Sequence, residues 1–312
     1  MKRGGFEAMV HGTVAGGGFD LYTRVFVNHF AKYVPGNPNI VVKNMPGATG
    51  LVAINYLANT APRDGASLLA FTAMSNVLGT VNDVPTLVAA AHAHGAAVLV
   101  DACQSIPHEP VDVTAWGADF VAFSGHKMMG PTGIGGLWAP RAVLEAMPPF
   151  LGGGEMIRDV RKDGFTTNDV PWKFEAGTPA IAEAVGLGAA VTWLEGIGMD
   201  AIADHERRLT AYALERLTDA LGDAITIYGP ATAEGRGSAI SFLVDGIHAH
   251  DISQVLDEDA VCVRAGHHCA KPLMRLLGVN ATARASFYLY NDQADVDALA
   301  DALDGATDIF GS

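Results

Sequence analysis

Two stretches decide the fold: AAVLVDACQS (residues 96–105) and FVAFSGHKMMGPTG (residues 120–133). Each opens on a short apolar run, and a helical pattern that ends at Gly95 (LVAAAHAHG) precedes the first. GIGGLWAP follows as a third strand pattern and PRAVLEAM as a short helix. Short apolar strands separated by helices are typical of an α/β layer with a largely parallel sheet, which is the fold class that the sequence predicts.

Polar residues with useful chemistry follow both strands. Ligands gather at the carboxyl ends of strands in open α/β sheets, and Asp101 stands at such an end, where it either pairs with a protonated ring nitrogen or caps the next turn. Ser124 and His126 are donors suited to a phosphate. Lys127 beside them is either a surface lysine or an amine for Schiff-base chemistry with a carbonyl cofactor, since burying an unpaired ammonium is costly.

These motifs, with FEAGTP, RAGHHCAKPL and TARASFYLYN, resemble the class V aminotransferase-like enzymes that use pyridoxal 5′-phosphate (PLP). Within that group they are similar to the SUF-type cysteine desulfurases, from about Leu69 to the C-terminus. The resemblance implies a PLP-dependent transferase of fold type I, with an incomplete large domain around a mainly parallel sheet and a smaller α+β C-terminal domain. It implies conversion of L-cysteine to L-alanine, with the sulfur held as a persulfide for iron–sulfur cluster assembly.

The resemblance also implies residue roles. Lys127 would hold PLP covalently and move the substrate's Cα proton, and Cys269 would be the nucleophile that takes the sulfur. Arg284 would clamp the substrate carboxylate, for which a guanidinium is well suited. The remaining expected contacts are with the cofactor: Asp101 to the pyridinium nitrogen, Gln104 to the ring oxygen, Ser124 and His126 to the phosphate, Asn76 to the cofactor or the substrate carboxylate, and Thr178 to the phosphate bound by a partner subunit in a homodimer.

The stretch VRAGHHCAKPL (residues 263–273) holds one of only three cysteines. A metal site is not expected, because adjacent residues diverge and no further pair completes four ligands. His267 and His268 either shape the loop or lower the Cys269 pKa through a positive charge, and a purely structural role for both stays open. The other two cysteines, Cys103 and Cys262, are interpreted as buried small hydrophobic residues.

The N-terminal segment departs from the desulfurase pattern. Residues 15–68 contain GGGFDLYTR, PGNP and NMPGATGLVAINYL, which resemble the N-terminal segment of substrate-binding proteins of tripartite tricarboxylate transporters. The chain is therefore interpreted as a chimera, with a junction near Ser67 to Thr72. We expect three parts: an atypical segment (1–68), a truncated PLP-binding large domain (69–205) and a small domain (206–312), with the last boundary near Glu195 to Arg207. A truncated sheet would leave a strand edge uncovered.

Several local features complete the expected organisation. Residues 151–169 have no clear period and are predicted to form a long loop. Thr178 is a candidate N-cap, with Pro179 in the first turn of the helix that follows. MDAIADHERRLTAYALERLTDAL is a long amphipathic helix pattern, and after it strand and helix patterns alternate to the end of the chain. These later patterns predict an antiparallel-leaning sheet covered by helices.

Composition narrows the possible partners. The net charge of −14 disfavours binding to nucleic acid and to anionic membranes. The sequence contains no run of 18 or more apolar residues, so a membrane span is not expected. The N-terminus lacks the continuous apolar segment of a signal peptide, and three cysteines favour a reducing compartment, so a cytoplasmic protein is expected. The resemblance to the desulfurases implies L-cysteine or L-selenocysteine and a sulfur-acceptor protein as partners.

Alternatives stay open at this point. A selenocysteine lyase or related class V lyase would use the same pocket chemistry. A catalytically impaired remnant would keep the residues without the activity, and a carboxylate-binding protein would follow from the N-terminal resemblance. A general aminotransferase is less favoured, because Cys269 would then have no role.

Overall fold

The structure is a computed structural model that describes residues 67–310, together with the backbone of two short strands at 8–11 and 41–44. The strands are β1 (Ala8–His11), β2 (Val41–Asn44), β3 (Ser67–Thr72), β4 (Ala97–Asp101), β5 (Phe120–Ser124), β6 (Gly135–Trp138), β7 (Ile157–Arg161), β8 (Gly164–Thr167), β9 (Ile225–Tyr228), β10 (Ala239–Val244), β11 (Arg264–Gly266) and β12 (Thr282–Ser286). The α-helices are α1 (Val84–Ala93), α2 (Val113–Trp116), α3 (Arg141–Ala146), α4 (Ile181–Ile197), α5 (Met199–Leu221), α6 (Ala249–Glu258), α7 (Lys271–Leu276) and α8 (Gln293–Phe310).

The larger sheet has six strands in the order β2-β1-β3-β4-β5-β6. All neighbouring pairs are parallel except β5 with β6, which confirms the predicted mainly parallel sheet. Val98 and Val100 of β4 are fully buried and pack in one cluster with Val88 and Ala91 of α1. The apolar run that predicted a buried strand therefore forms the centre of this core.

The larger sheet continues beyond β3 by two strands that the sequence did not predict. Strand β1 pairs in parallel with β3, from Ala8 opposite Ser67 to His11 opposite Ala70, and β2 continues the sheet beyond β1. The two strands are four residues each, AMVH and VVKN, which is too short for an apolar period to identify them. The transporter resemblance otherwise falls on residues outside the described part of the chain.

The smaller sheet is antiparallel throughout, in the order β11-β12-β10-β9, as predicted for the C-terminal part. Its core is fully buried and joins Phe242 of β10 to Leu217 of α5, Ile252 of α6 and Leu303 of α8. The long amphipathic pattern forms α5 over Met199–Leu221. Strand β9 was not predicted, and β11 covers only three residues.

The predicted loop at 151–169 is wrong in part, because β7 and β8 form an antiparallel hairpin there. Nearly every residue of the hairpin is exposed, so neither face carries the apolar alternation that marks a half-buried strand. Helix α4 begins at Ile181 behind an Ala180 cap without a side-chain hydrogen bond, so Thr178 is not the N-cap. Among the described helices none is by itself long and apolar enough to span a membrane, and α4 and α5 meet that criterion only as a pair bent by 73°.

The loop between β3 and α1 joins the two sheets. Ser241 of β10 donates its hydroxyl to the carbonyl of Val77 at 2.6 Å, and the Gly237 amide donates to the carbonyl of Gly79 at 2.8 Å. Gly79 has a φ of +70°, and a Cβ there would lie 2.8 Å from the Ala239 carbonyl oxygen. The close approach of the loop to the smaller sheet thus requires glycine at this position.

We expect Gly79→Ala to lower the free energy of unfolding by about 2–4 kcal/mol, through strain at positive φ and the overlap with backbone. Gly235→Ala is the matched control, because Gly235 has a φ of +66° and open space where its Cβ would lie. It carries only the φ strain, so we expect a loss of about 1 kcal/mol. Urea unfolding curves of both variants give the comparison, and equal losses would contradict the close approach at Gly79.

Candidate functional site

The candidate site is built on the ends of β4 and β5. The two strands are parallel neighbours with Asp101 opposite Ala122, so their carboxyl ends meet at one edge of the sheet. Asp101 is the last residue of β4, and a 3-10 turn at Gly125–Lys127 follows β5 directly. The structure thereby brings Asp101 and Lys127 to the same edge, as the sequence predicted.

The Cys103 thiol shows how close these groups are. Burial is the largest effect on this thiol and raises its pKa to about 12. The negative charge of Asp101 and a hydrogen bond to that carboxylate raise the pKa further, whereas the charge of Lys127 and a hydrogen bond with the Ser124 amide lower it. The Cys103 amide also donates to Asp101 Oδ1 at 2.9 Å. Cys103 is therefore a half-buried, hydrogen-bonded thiol inside the site. The interpretation as a buried small hydrophobic residue is wrong for it, and wrong also for Cys262, which is exposed.

A cavity of about 300 Å³ lies beside this strand edge. Four of the residues that the sequence singled out line it, namely Gln104, His126, Lys127 and Arg284. Ser124 contacts one of them, because its hydroxyl lies 2.7 Å from His126 Nδ1. The volume is at the lower end of the range for small-molecule sites. A second cavity, of about 410 Å³, is lined by residues such as His205, Arg208 and Asp292 and contains none of the predicted site residues.

Arg284 reaches the cavity from β12 of the smaller sheet. Its Nη1 donates to the Asn76 carbonyl at 2.7 Å, and its buried Nε has no partner within the described residues. Burial lowers the pKa of Arg284, the positive charge of Arg264 lowers it further, and the Cys269 side chain opposes this shift. A half-buried guanidinium with an unsatisfied donor on the wall of a cavity is suited to hold an anionic ligand.

The cysteine loop is held from below by His268. This residue is 1% exposed, and its Nε2 lies 3.0 Å from the Thr282 carbonyl oxygen and 2.8 Å from the Thr282 hydroxyl. Its own carbonyl accepts a hydrogen bond of 2.9 Å from the Asn76 side-chain amide. Asn76 is therefore placed between the cysteine loop and Arg284, and one of its amide protons is committed to the loop rather than to a ligand.

Two roles were open for His267 and His268: shaping the loop, or lowering the Cys269 pKa through a positive charge. The structure decides between them only for His268. Burial lowers its pKa to about 4, and the charges of Arg284 and Arg264 act in the same direction, so the ring is neutral near neutral pH. A positive charge from His268 on Cys269 is therefore excluded, and a role in shaping the loop agrees with its contacts. The cation next to the thiol is Arg264, whose Nη2 lies 3.4 Å from Cys269 Sγ. Sequence reasoning missed Arg264, although it lies five residues before the cysteine.

A buried polar cluster on the cavity wall was also missed. His108 Nδ1 lies 2.9 Å from Glu206 Oε2, and the Ser238 hydroxyl donates to the same carboxylate oxygen at 2.8 Å. The Tyr288 ring packs edge-on against His108 and its hydroxyl donates to the Pro107 carbonyl at 2.9 Å. The sequence could not predict this contact, because the histidine and the glutamate are 98 residues apart and form no local motif.

The remaining site predictions have simple outcomes. Thr178 is exposed just before α4 and is not among the residues that line the cavity. Cys269 is exposed on its loop, and both it and His268 have positive φ angles, of 62° and 50°. Within residues 67–310 no group of three or more His, Cys, Asp or Glu side chains is close enough to hold a metal ion.

Known proteins similar to this chain agree on one family. The family model described as aminotransferase class-V matches residues 39–299. A probable cysteine desulfurase of Streptomyces coelicolor is 54% identical over 244 residues, which is 78% of this chain and 58% of that protein. A probable cysteine desulfurase of Staphylococcus aureus is 46% identical over 290 residues, or 91% of this chain and 69% of that protein. The chain thus spans roughly three fifths of the length of the first of these relatives.

Solved structures show the same likeness. The crystal structure of the cysteine desulfurase CsdA from Escherichia coli superposes with a TM-score of 0.83 at 37% identity. That superposition covers 98% of this chain and 73% of the other. The likeness therefore extends over both sheets of the described structure.

We expect the three thiols to differ in reactivity as their surroundings dictate. Because the pKa of Cys103 is raised to about 12, its thiol stays protonated from pH 7 to pH 9 and reacts slowly, whereas exposed Cys262 and Cys269 react. Iodoacetamide labelling read by peptide mass spectrometry gives the order. Asp101→Asn removes the largest charge effect and should speed Cys103 labelling, while Asp112→Asn is a control. Labelling of native Cys103 as fast as Cys262 would contradict this account.

Proposed function

The chain belongs to the aminotransferase class-V family, and from this premise we propose that it is a PLP-dependent cysteine desulfurase. It would convert L-cysteine to L-alanine and hold the sulfur as a persulfide on Cys269. The single observation that carries the proposal is the cavity shared by Lys127, Gln104 and Arg284, with the Cys269 loop anchored to the strand that bears Arg284. The reaction requires an amine, a group that holds the substrate carboxylate and a thiol nucleophile.

The residues at the strand edge fit PLP. Lys127 lies on the cavity wall without an ion pair in the described part of the chain. The Asp101 carboxylate accepts there from the amide and from the thiol of Cys103. Lys127 would bind the cofactor aldehyde, Asp101 would keep the ring nitrogen protonated, and Gln104 would donate to the ring oxygen. Ser124 and His126, already in contact with each other, would bind the phosphate. When bound, PLP supplies an electron sink for the amino-bearing carbon of the substrate.

The substrate would lie between Arg284 and Cys269. The unsatisfied Nε of Arg284 and its position on the cavity wall support binding of the substrate carboxylate there. Asn76 would assist through its second amide proton, because the first is bonded to the His268 carbonyl. Lys127 would take and return the proton at the substrate Cα, and the Cys269 thiolate, steadied by Arg264, would take the sulfur.

The finer parts of the proposal concern partners. The persulfide would pass to a sulfur-acceptor protein for iron–sulfur cluster assembly, and the protein would work in the cytoplasm. L-selenocysteine would enter the same pocket, since selenium and sulfur differ little in size and the same groups hold the amino acid. We also propose that the boundaries between the N-terminal segment, the large domain and the small domain lie at residues 68 and 205.

We also propose a homodimer, because α4 has an exposed apolar face. Only Ala190 and Leu194 of its 17 residues are buried, while Ile181 is 62% exposed, Val185 71% and Trp193 49%. A contiguous apolar face of this kind favours association with another protein surface. Thr178 is exposed immediately before this helix, a position that supports the proposed contact with the phosphate of a partner subunit.

We expect purified protein to take up PLP with a visible absorbance band and a higher melting midpoint, since a ligand that binds the native state stabilises it. Lys127→Ala should abolish the band, whereas Lys162→Ala, at an exposed turn, should leave it unchanged. Cys269→Ser should keep the band and slow alanine formation from L-cysteine by at least about tenfold. A colourless protein that takes up no added PLP would refute the proposal and favour a catalytically impaired remnant.

For the dimer, we expect Ile181→Glu combined with Val185→Glu to shift the protein to monomers, because charges are buried at an apolar interface. Sedimentation equilibrium over a range of concentrations measures the change. Ala201→Glu with Ala211→Glu adds the same charge to exposed positions of α5 and should leave the dimer intact. A wild-type protein that is monomeric at every concentration would overturn this part.

A further inference from the structure

The chain around Cys269 differs in charge from the rest of the protein. Residues 260–291 hold four of the 20 basic residues and none of the 34 acidic residues, which leaves 16 basic and 34 acidic residues elsewhere. Asp259 and Asp292 border this stretch on either side. In a protein with a net charge of −14, the stretch that carries the proposed nucleophile is therefore itself positively charged.

Three of these cations are exposed and lie within six residues of Cys269 along the chain, and we call Arg264, Lys271 and Arg275 the basic rim. Arg264 contacts Cys269 Sγ at 3.4 Å. Lys271 begins α7 two residues after Cys269, and Arg275 follows four residues later, so both lie on one face of the helix. In the part of the chain that the structure describes, no carboxylate forms an ion pair with any of the three.

The proposed substrate does not account for the rim. L-Cysteine near neutral pH carries one carboxylate and one ammonium, so a distant net charge attracts it weakly. Its carboxylate is matched by Arg284, which lines the cavity, whereas Lys271 and Arg275 do not line it. The three side chains of the rim are exposed, so their charge acts on molecules that approach Cys269 from solvent.

We propose that the basic rim selects the sulfur acceptor: a protein whose acceptor thiol lies among acidic side chains. This inference rests on the proposed desulfurase function. An acidic partner is repelled by most of this chain and attracted at the rim, so the field would orient it with its thiol toward Cys269. In the transfer, the acceptor thiolate attacks the outer sulfur of the Cys269 persulfide. The sulfur–sulfur bond breaks, Cys269 leaves as a thiolate and the acceptor carries the persulfide, with no net oxidation.

The first test measures the electrostatic potential at Cys269 and does not depend on enzymatic activity. Iodoacetate is anionic and iodoacetamide neutral, and both alkylate a thiolate with loss of iodide, so their rate ratio at Cys269 reports the local potential. We expect Lys271→Glu with Arg275→Glu to lower this ratio about threefold or more at low salt, and less at high salt. Arg141→Glu with Arg207→Glu, exposed on α3 and α5, makes the same change in net charge and should leave the ratio unchanged.

The second test uses the PLP-loaded enzyme and two synthetic pentapeptides with a central cysteine, flanked by four glutamates or by four lysines. Each rate of persulfide discharge is divided by the peptide's rate with a small neutral disulfide, which corrects for thiol reactivity. We expect the acidic peptide to be preferred by the wild type, and the preference to fall at least about threefold in the Lys271/Arg275 variant. The KM for L-cysteine should stay the same.

The outcomes separate the two proposals. A ratio of alkylation rates that does not move in the Lys271/Arg275 variant overturns the rim, whatever the enzyme does. A rim that passes this test in a protein that forms no alanine leaves the field established and refutes the desulfurase proposal instead. Equal discharge to both peptides, or a raised KM for L-cysteine with unchanged peptide preference, overturns acceptor selection.

Discussion

The site depends on a small set of hydrogen bonds around Asn76. Its carbonyl accepts from Arg284 Nη1 at 2.7 Å, and its side-chain amide donates to the His268 carbonyl at 2.9 Å. Because Asn76 lies in the loop that leaves β3, these bonds join the end of the parallel sheet to both the cysteine loop and β12. Lys127 stands on one side of this junction and Arg284 with Cys269 on the other. The geometry of the proposed reaction is thus set by where two sheets meet.

Two arginines near that junction, Arg236 buried and Arg284 half-buried, show how the chain tolerates cations without a carboxylate partner. Burial lowers the pKa of Arg236 to about 10, and this guanidinium donates to the carbonyls of Pro230 and of Tyr228, the latter at 2.9 Å. Arg284 has one such carbonyl, from Asn76, and an unsatisfied Nε. The buried Nε of Arg236 is unsatisfied as well, but both of its Nη groups donate to carbonyls, whereas only Nη1 of Arg284 does. Within the described residues Arg284, on the cavity wall, therefore has more donors left for a ligand than Arg236 has.

Sequence reasoning was most successful where a feature is local and periodic. The strand-end positions of Asp101 and Lys127 and the bounds of α5 follow from apolar runs and helical spacing, and the structure confirms them. It failed where that signal is absent: β1 and β2 are too short, and the β7–β8 hairpin is exposed on both faces. The protonation state of His268 and the exposure of Cys262 depend on tertiary packing. The His108–Glu206 contact spans 98 residues and has no local pattern at all.

The cysteine loop has a strained backbone that is held in place by hydrogen bonds of the buried His268 ring. Consecutive positive φ angles at His268 and Cys269 are unfavourable for side chains other than glycine, and the loop keeps them because the His268 ring is bonded to Thr282 below. A charged imidazole could not occupy that buried position beside Arg284 and Arg264 without a carboxylate, so the low pKa and the loop shape have one cause. The positive charge near the thiol then has to come from the exposed side. Arg264, Lys271 and Arg275 supply it there, where it acts on solvent and on partners rather than on the fold.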